Sequence, residues 1–172
     1  ILIQPLLKSG FAVVSINHRS SFDAKFPAQI HDVKAALRFV RANASKYSLN
    51  TDFIGVTGSS SGGHLAAMAG TTSFVDKMEG KVGKFLNYSS HVDAVVNWFG
   101  PTDFLIMDEC GSKLVHNNED SPESLLVGGA IQENLSKVKS ANPLTYITKK
   151  TPPFLVIHGI LDNLVPYCQS EV

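Results

Sequence analysis

Apolar positions along this chain follow two rhythms. Some form short unbroken runs: Phe11-Ala12-Val13-Val14-Ser15-Ile16, Asp52-Phe53-Ile54-Gly55-Val56-Thr57, Val92-Asp93-Ala94-Val95-Val96-Asn97-Trp98-Phe99 and Phe154-Leu155-Val156-Ile157. Runs of this length, bounded by Gly, Pro and polar residues, predict strands covered on both faces. Others recur at three- and four-residue spacing. Ile30, Val33, Leu37, Val40 and Ala44 predict an amphipathic helix, with Pro27 near its first turn, where a missing N–H costs nothing. Asp32, Lys34, Arg38 and Arg41 are expected largely off its apolar face. The stretch from about 61 to 70, containing His64-Leu65-Ala66-Ala67-Met68-Ala69, predicts a second helix. Strands alternating with helices predict an α/β domain built on a mostly parallel sheet with helices on both faces. Residues 71–90 are polar and Gly-rich and read as a surface excursion. From 102 to about 150 the pattern is irregular and mostly helical, with Pro122 and Pro143 as helix starts or breaks and Gly128-Gly129 as a helix end. Residues 102–150 sit where a cap over an active site can be inserted, and are read as a cap-like insertion.

Composition narrows this picture. The chain has 172 residues, 44% of them hydrophobic and 17% charged, which suits one globular domain with its own core. The formal net charge is zero, so neither nucleic acid nor an anionic membrane surface is implied as a partner. No apolar run approaches the roughly 20 residues of a membrane span. The chain opens at Ile1, without Met or a basic leader, and Ile1-Leu2-Ile3-Gln4-Pro5-Leu6-Leu7 reads as the inside of a helix. Both ends are read as cut, so residues 1–172 are expected to form a single partial domain, and compartment stays open. Cys110 and Cys168 could pair or remain two buried thiols.

The chemistry enters at Gly58-Ser59-Ser60-Ser61-Gly62-Gly63. A flexible Gly/Ser linker would join domains, whereas this run is short and pressed between a predicted strand and a predicted helix. A phosphate-binding loop would need a Lys after its glycines. Strand, Gly-x-Ser-x-Gly, helix is instead the nucleophile elbow of a serine hydrolase. Ser60 is then the nucleophile, held in a strained backbone conformation at the end of the sheet. Gly58 and Gly62 are expected to remove Cβ atoms that would collide across so sharp a turn. The backbone N–H of Ser61 is the expected oxyanion donor.

A serine hydroxyl also needs a base and a carboxylate to orient that base. In this fold the acid follows the nucleophile and the histidine comes last. Asp162, in the turn after the last predicted strand, is the candidate acid. Its other reading is an ordinary turn aspartate beside Asn163. None of the six histidines, His18, His31, His64, His91, His116 and His158, follows Asp162, and none is assigned as the base. His158 is read as a turn or supporting residue, His64 as a packed residue behind the nucleophile, and His91 and His116 as lying on surface segments. The catalytic histidine, and the loop giving the second oxyanion donor, are expected outside residues 1–172. The chain alone is accordingly expected to hydrolyse esters slowly. No clustered His/Cys/Asp spacing implies a metal, and no organic cofactor is implied.

Taken together, the chain resembles the α/β-hydrolase esterases of the hormone-sensitive-lipase type, closest to their acetylxylan/feruloyl esterase-like (BD-FAE-like) branch. The likeness runs through Val14-Ser15-Ile16-Asn17-His18-Arg19, Lys25-Phe26-Pro27-Ala28-Gln29-Ile30-His31-Asp32, the elbow, Asn97-Trp98-Phe99-Gly100-Pro101-Thr102-Asp103, Ala141-Asn142-Pro143-Leu144 and Pro152-Pro153-Phe154-Leu155-Val156-Ile157-His158-Gly159. It implies the α/β-hydrolase fold, Ser60 as nucleophile and Asp162 as acid. The branch's pattern near the acid is His-Gly-Asp-x-Asp-x-x-Val-Pro. Ile160 replaces its first Asp, while Asp162, Val165 and Pro166 match. The activity implied is hydrolysis of a small-molecule or carbohydrate ester, including deacylation of plant polysaccharides. Two other readings stay open: a prolyl-oligopeptidase-like peptidase domain, and a non-catalytic binding protein on the same fold.

Overall fold

The computed structural model describes residues 3–172. Its centre is a parallel sheet of β1 (Gly55–Ser59), β2 (Ala94–Trp98) and β3 (Phe154–Ile157), in that order. The register runs Ser59 to Trp98 to Ile157, so all three strands end level. Helix α1 (Ile3–Lys8) opens the described chain; α2 (Ala28–Ala42) precedes β1, and α3 (Ser61–Thr71) follows it directly. The predicted strand at 52–57 thus begins later and runs into the elbow, because Asp52 is held in a turn by the Asn50 side chain.

Helix α3 covers one face of the sheet, and α2 packs on α3. Ile30, Val33 and Leu37 meet Leu65, Met68, Ala69, Met78, Val92, Val95 and Tyr146 in the main core. The strands are not buried evenly on both faces as their apolar runs predict. Along β2, Val95 and Asn97 are buried while Ala94, Val96 and Trp98 are half-buried, the alternation of a sheet packed mainly on one side.

Residues 11–16 depart most from expectation, since they form no strand. Phe11 and Val14 are 51% and 53% exposed. They face the free edge of β1 across a cavity of about 1030 Å³, lined also by Val56, Thr57 and Leu65. A strand needs a partner within roughly 4.8 Å to close its hydrogen bonds, and none of the described residues offers one there. Beyond this run, the Arg19 guanidinium grips Asp32 of α2 with Nε and Nη2.

Two residues expected off the apolar face of α2 are also inside. Lys34 is 0% and Arg38 2% exposed. Both reach Glu79 in the 71–90 excursion; Arg38 also donates to the Glu79 and Val82 carbonyls, and Lys34 to that of Thr72. Burial pushes the Lys34 ammonium below its usual range, against the pull of Glu79. A buried cation is tolerable only when so paired, and the partner lies 45 residues away in the chain.

Residues 102–150 are short helices and turns, as predicted. Helix α4 (Pro122–Val127) starts with Pro122 behind a Ser121 cap and ends at Gly128, φ +81°; α5 (Leu135–Ala141) follows. Phe104, Met107, Val127, Ile131, Val138 and Ala141 form a second core that also takes in Val165. Cys110 and Cys168 form a disulfide between this stretch and the segment after β3. That resolves the pairing which the sequence leaves open.

Candidate active site

Ser60 is the first residue past β1 and the residue before α3. Its backbone adopts φ +52°, ψ −124°, a sparsely populated region for any residue with a Cβ. Two bonds over-determine it: its N–H donates to the Trp98 carbonyl at 2.9 Å, and its carbonyl accepts from the His64 N–H at 3.0 Å. Ser60 and Ser61 are exposed. The amides of the first turn of a helix have no partner within it, so the Ser61 N–H is free to face a ligand beside Ser60.

The glycines divide the work differently from expectation. A Cβ on Gly58 would run into the backbone of Gly62, as the elbow reading requires, but a Cβ on Gly62 would meet nothing within 4 Å. The other crowded glycine of the elbow is Gly63, whose Cβ would strike the Asn97 side chain and approach the Gly100 Cα to 2.9 Å. Gly100 is equally tight against Gly63 and the His64 amide. Buried Asn97 sits between them and accepts from the Gly100 N–H at 2.8 Å. This second close approach seats α3 on the end of β2. Its signals are Gly63 and the Gly100-Pro101 stop, and only the pairing of distant segments reveals them. Gly58→Ala should therefore cost about 2 kcal/mol of stability or more through backbone overlap. Gly62→Ala should leave stability within about 0.5 kcal/mol, or raise it by improving helix propensity. Thermal unfolding of the two variants checks this.

One row beyond the sheet, level strand ends place Ser60, Phe99 and His158 side by side at the same end. Phe99 also has a positive φ of +43°, and its N–H donates to the Ile157 carbonyl at 2.8 Å. Asp162 follows in the turn after His158, half-buried. Its Oδ1 accepts from the N–H groups of Leu164 (2.9 Å) and Val165 (3.1 Å), which leaves Oδ2 directed elsewhere, 3.7 Å from His158 Nε2. Ser60 follows β1 directly, and Asp162 lies in the turn after β3, so the two come from the ends of the outer strands of the described sheet, with β2 between.

Each histidine makes a contact of its own; exposed His18 has Nδ1 on the Arg19 carbonyl at 2.9 Å. His158 Nε2 is bonded to the Val165 carbonyl at 2.8 Å and Nδ1 to the Ser170 hydroxyl at 2.6 Å, so it serves the turn that carries Asp162. His64 is buried behind the nucleophile, with Nε2 on the Ala141 carbonyl at 2.7 Å; burial drives it toward the neutral form. His31 meets the Lys77 carbonyl, and His91 lies 3.4 Å from Asp93. His116 corrects the sequence reading. It is not on a surface segment but 2% exposed, because Glu123 of α4 and the Leu164 carbonyl take its two ring nitrogens. Among the described residues, no three His, Cys, Asp or Glu side chains come together as a metal site would need.

The model of one family, BD-FAE, matches residues 1–172. The chain belongs to the BD-FAE family. Among solved structures, this BD-FAE chain is similar to a "Bifunctional GH43-CE" protein of Bacteroides eggerthii. The two are 56% identical with a TM-score of 0.92, over 98% of this chain and 24% of that one. It is also similar to a "Truncated form of carbohydrate esterase from gut microbiota", 50% identical with a TM-score of 0.92, over 97% and 61% of the two chains. A protein named "Probable carboxylic ester hydrolase LipM", from Mycobacterium tuberculosis, is 33% identical over 99% of this chain and 38% of its own length. The BD-FAE chain therefore spans less than half of that relative. Its fold is that of the α/β-hydrolase esterases.

Proposed function

We propose that the protein carrying this BD-FAE chain is a serine carboxylic-ester hydrolase that removes acyl groups from carbohydrates. The observation that carries the reading is Ser60. It is an exposed hydroxyl on a strained, doubly anchored turn, at the N-terminus of α3 and at the same sheet end as a half-buried carboxylate. Strain of this kind persists only where the surroundings enforce it, and it concentrates at functional sites.

In this reading Ser60 Oγ attacks the ester carbonyl carbon, and its proton passes to a histidine. The tetrahedral oxyanion rests on the Ser61 N–H, where the dipole of α3 adds to the hydrogen bond. Asp162 Oδ2 holds the histidine in the tautomer that can accept the proton. Collapse expels the alcohol, which takes that proton, and water then releases the acid from acyl-Ser60 by the same route. We place the histidine outside residues 1–172, because the acid precedes it in the chain order of this fold and the histidines near the site are committed elsewhere. Residues 102–150, with their own core beside the acid turn, serve as the cap that shapes the acyl and sugar pockets. The similar structure named as a carbohydrate esterase supports a carbohydrate as the alcohol. The test is mass-spectrometric mapping after exposure to a fluorophosphonate, together with a panel of acetylated and feruloylated sugars. Labelling at Ser60 with release of acetate or ferulate supports the reading; absence of both refutes it.

A further inference from the structure

An orienting carboxylate is useful only if it is held still, and the turn carrying Asp162 is held from outside the sheet. The carbonyls of Asn163 and Leu164, just after Asp162, are taken by one separate segment. The Lys113 N–H donates to the Asn163 carbonyl at 2.7 Å, the Ser112 hydroxyl lies 3.2 Å from the Leu164 carbonyl, and His116 Nε2 is 3.0 Å from that same oxygen. Leu164 is the link, since its N–H donates to Asp162 Oδ1 while His116 holds its carbonyl. Behind His116, Nδ1 is bonded to Glu123 Oε2 at 2.9 Å, and that carboxylate is itself buried. Asp108 locks the segment by accepting from the His116 and Asn117 N–H groups at 2.8 and 2.9 Å. The Cys110–Cys168 disulfide closes the arrangement from the far side of the turn.

A buried histidine–carboxylate pair is seldom a gain in stability over apolar packing, so its presence here asks for another role. We propose that His116, fixed by Glu123, is a positioning residue for the candidate acid, acting on Asp162 through the Leu164 peptide. The pair, Ser112 and the disulfide form one clamp, so the cap-like stretch and the acid move as a unit. This rests on Asp162 being the catalytic acid.

The test is a double-mutant cycle on the full encoded protein with an ester substrate. His116→Ala should lower kcat by about ten- to a hundredfold through misplacement of the acid, with KM little changed. His116→Gln, whose amide can still donate to the Leu164 carbonyl, should restore most of the loss. In an Asp162→Asn background the same His116→Ala change should cost almost nothing more, because the group it positions is already disabled. An equal loss in both backgrounds, or a change confined to KM, overturns the proposal. If Asp162→Asn alone leaves kcat intact, the assignment of the acid has failed, and the clamp loses its purpose with it. Should His116→Ala not fold, Ser112→Ala loosens the same grip without opening a buried cavity and is judged by the same cycle.

Discussion

Replacing Ser60 by alanine should reduce ester turnover by the full encoded protein about 10⁶-fold, to the residual rate that binding and oxyanion contacts alone support. The substitution deletes one exposed oxygen and touches no packing, so the loss reports chemistry. A second variant separates the nucleophile from its backbone. Because Ser60 sits at φ +52°, alanine inherits the strain and glycine does not. Ser60→Gly should therefore be as inactive as Ser60→Ala yet more stable by about 1 kcal/mol, read from thermal unfolding midpoints. Activity surviving in both variants would remove Ser60 from the mechanism and favour a binding protein on a hydrolase fold. Equal stability of the two would mean that the elbow stores no strain.

Asp162→Asn should lower kcat about 10⁴-fold. An amide can still accept from the Leu164 and Val165 N–H groups through its oxygen, so the turn and the fold should survive. What changes is the other atom, Oδ2. In the proposed mechanism, a carboxylate oxygen there accepts the histidine's N–H and balances the imidazolium that forms during acylation. As an amide nitrogen it cannot accept, so the histidine is held in the wrong tautomer. The variant should keep wild-type thermal stability and still bind substrate, and steady-state kinetics beside calorimetry separates the two effects. If activity is unchanged, Asp162 is only the turn residue that Asp162-Asn163 could also be, and the acid lies elsewhere.

Much of this was legible in the chain because it is local. Helices α2 and α3, strands β2 and β3, the elbow and the Gly128 helix end all follow from spacing or from residues needed at one bend. Strand β1 is legible too, shifted a few residues by the Asn50 turn. What could not be read depends on partners far off in sequence. Lys34 and Arg38 belong on a solvated helix face until Glu79 arrives to pair with them. His116 looks like a loop residue until Glu123 and Leu164 close over it. Gly63 and Gly100 show their tightness only when α3 is laid on β2. Residues 11–16 show the opposite failure. Their pattern is that of a buried strand, yet strand status requires a neighbour, and local pattern does not supply one. At the site itself, Ser60, Ser61, Gly58 and Asp162 are found in positions suited to the roles the elbow and chain order suggest, while Gly62 is spared the crowding expected of it.

That same run has a practical side. Where β1 turns its outer edge toward Phe11 and Val14, no strand among the described residues pairs with its peptide groups, which stand beside apolar side chains and a wide gap. Such a border is a template: any extended polypeptide of suitable polarity can lay itself along it and complete the ladder. For residues 1–172 handled alone, the meeting most often on offer is with another copy, so this seam is where the polypeptide would first stick to itself.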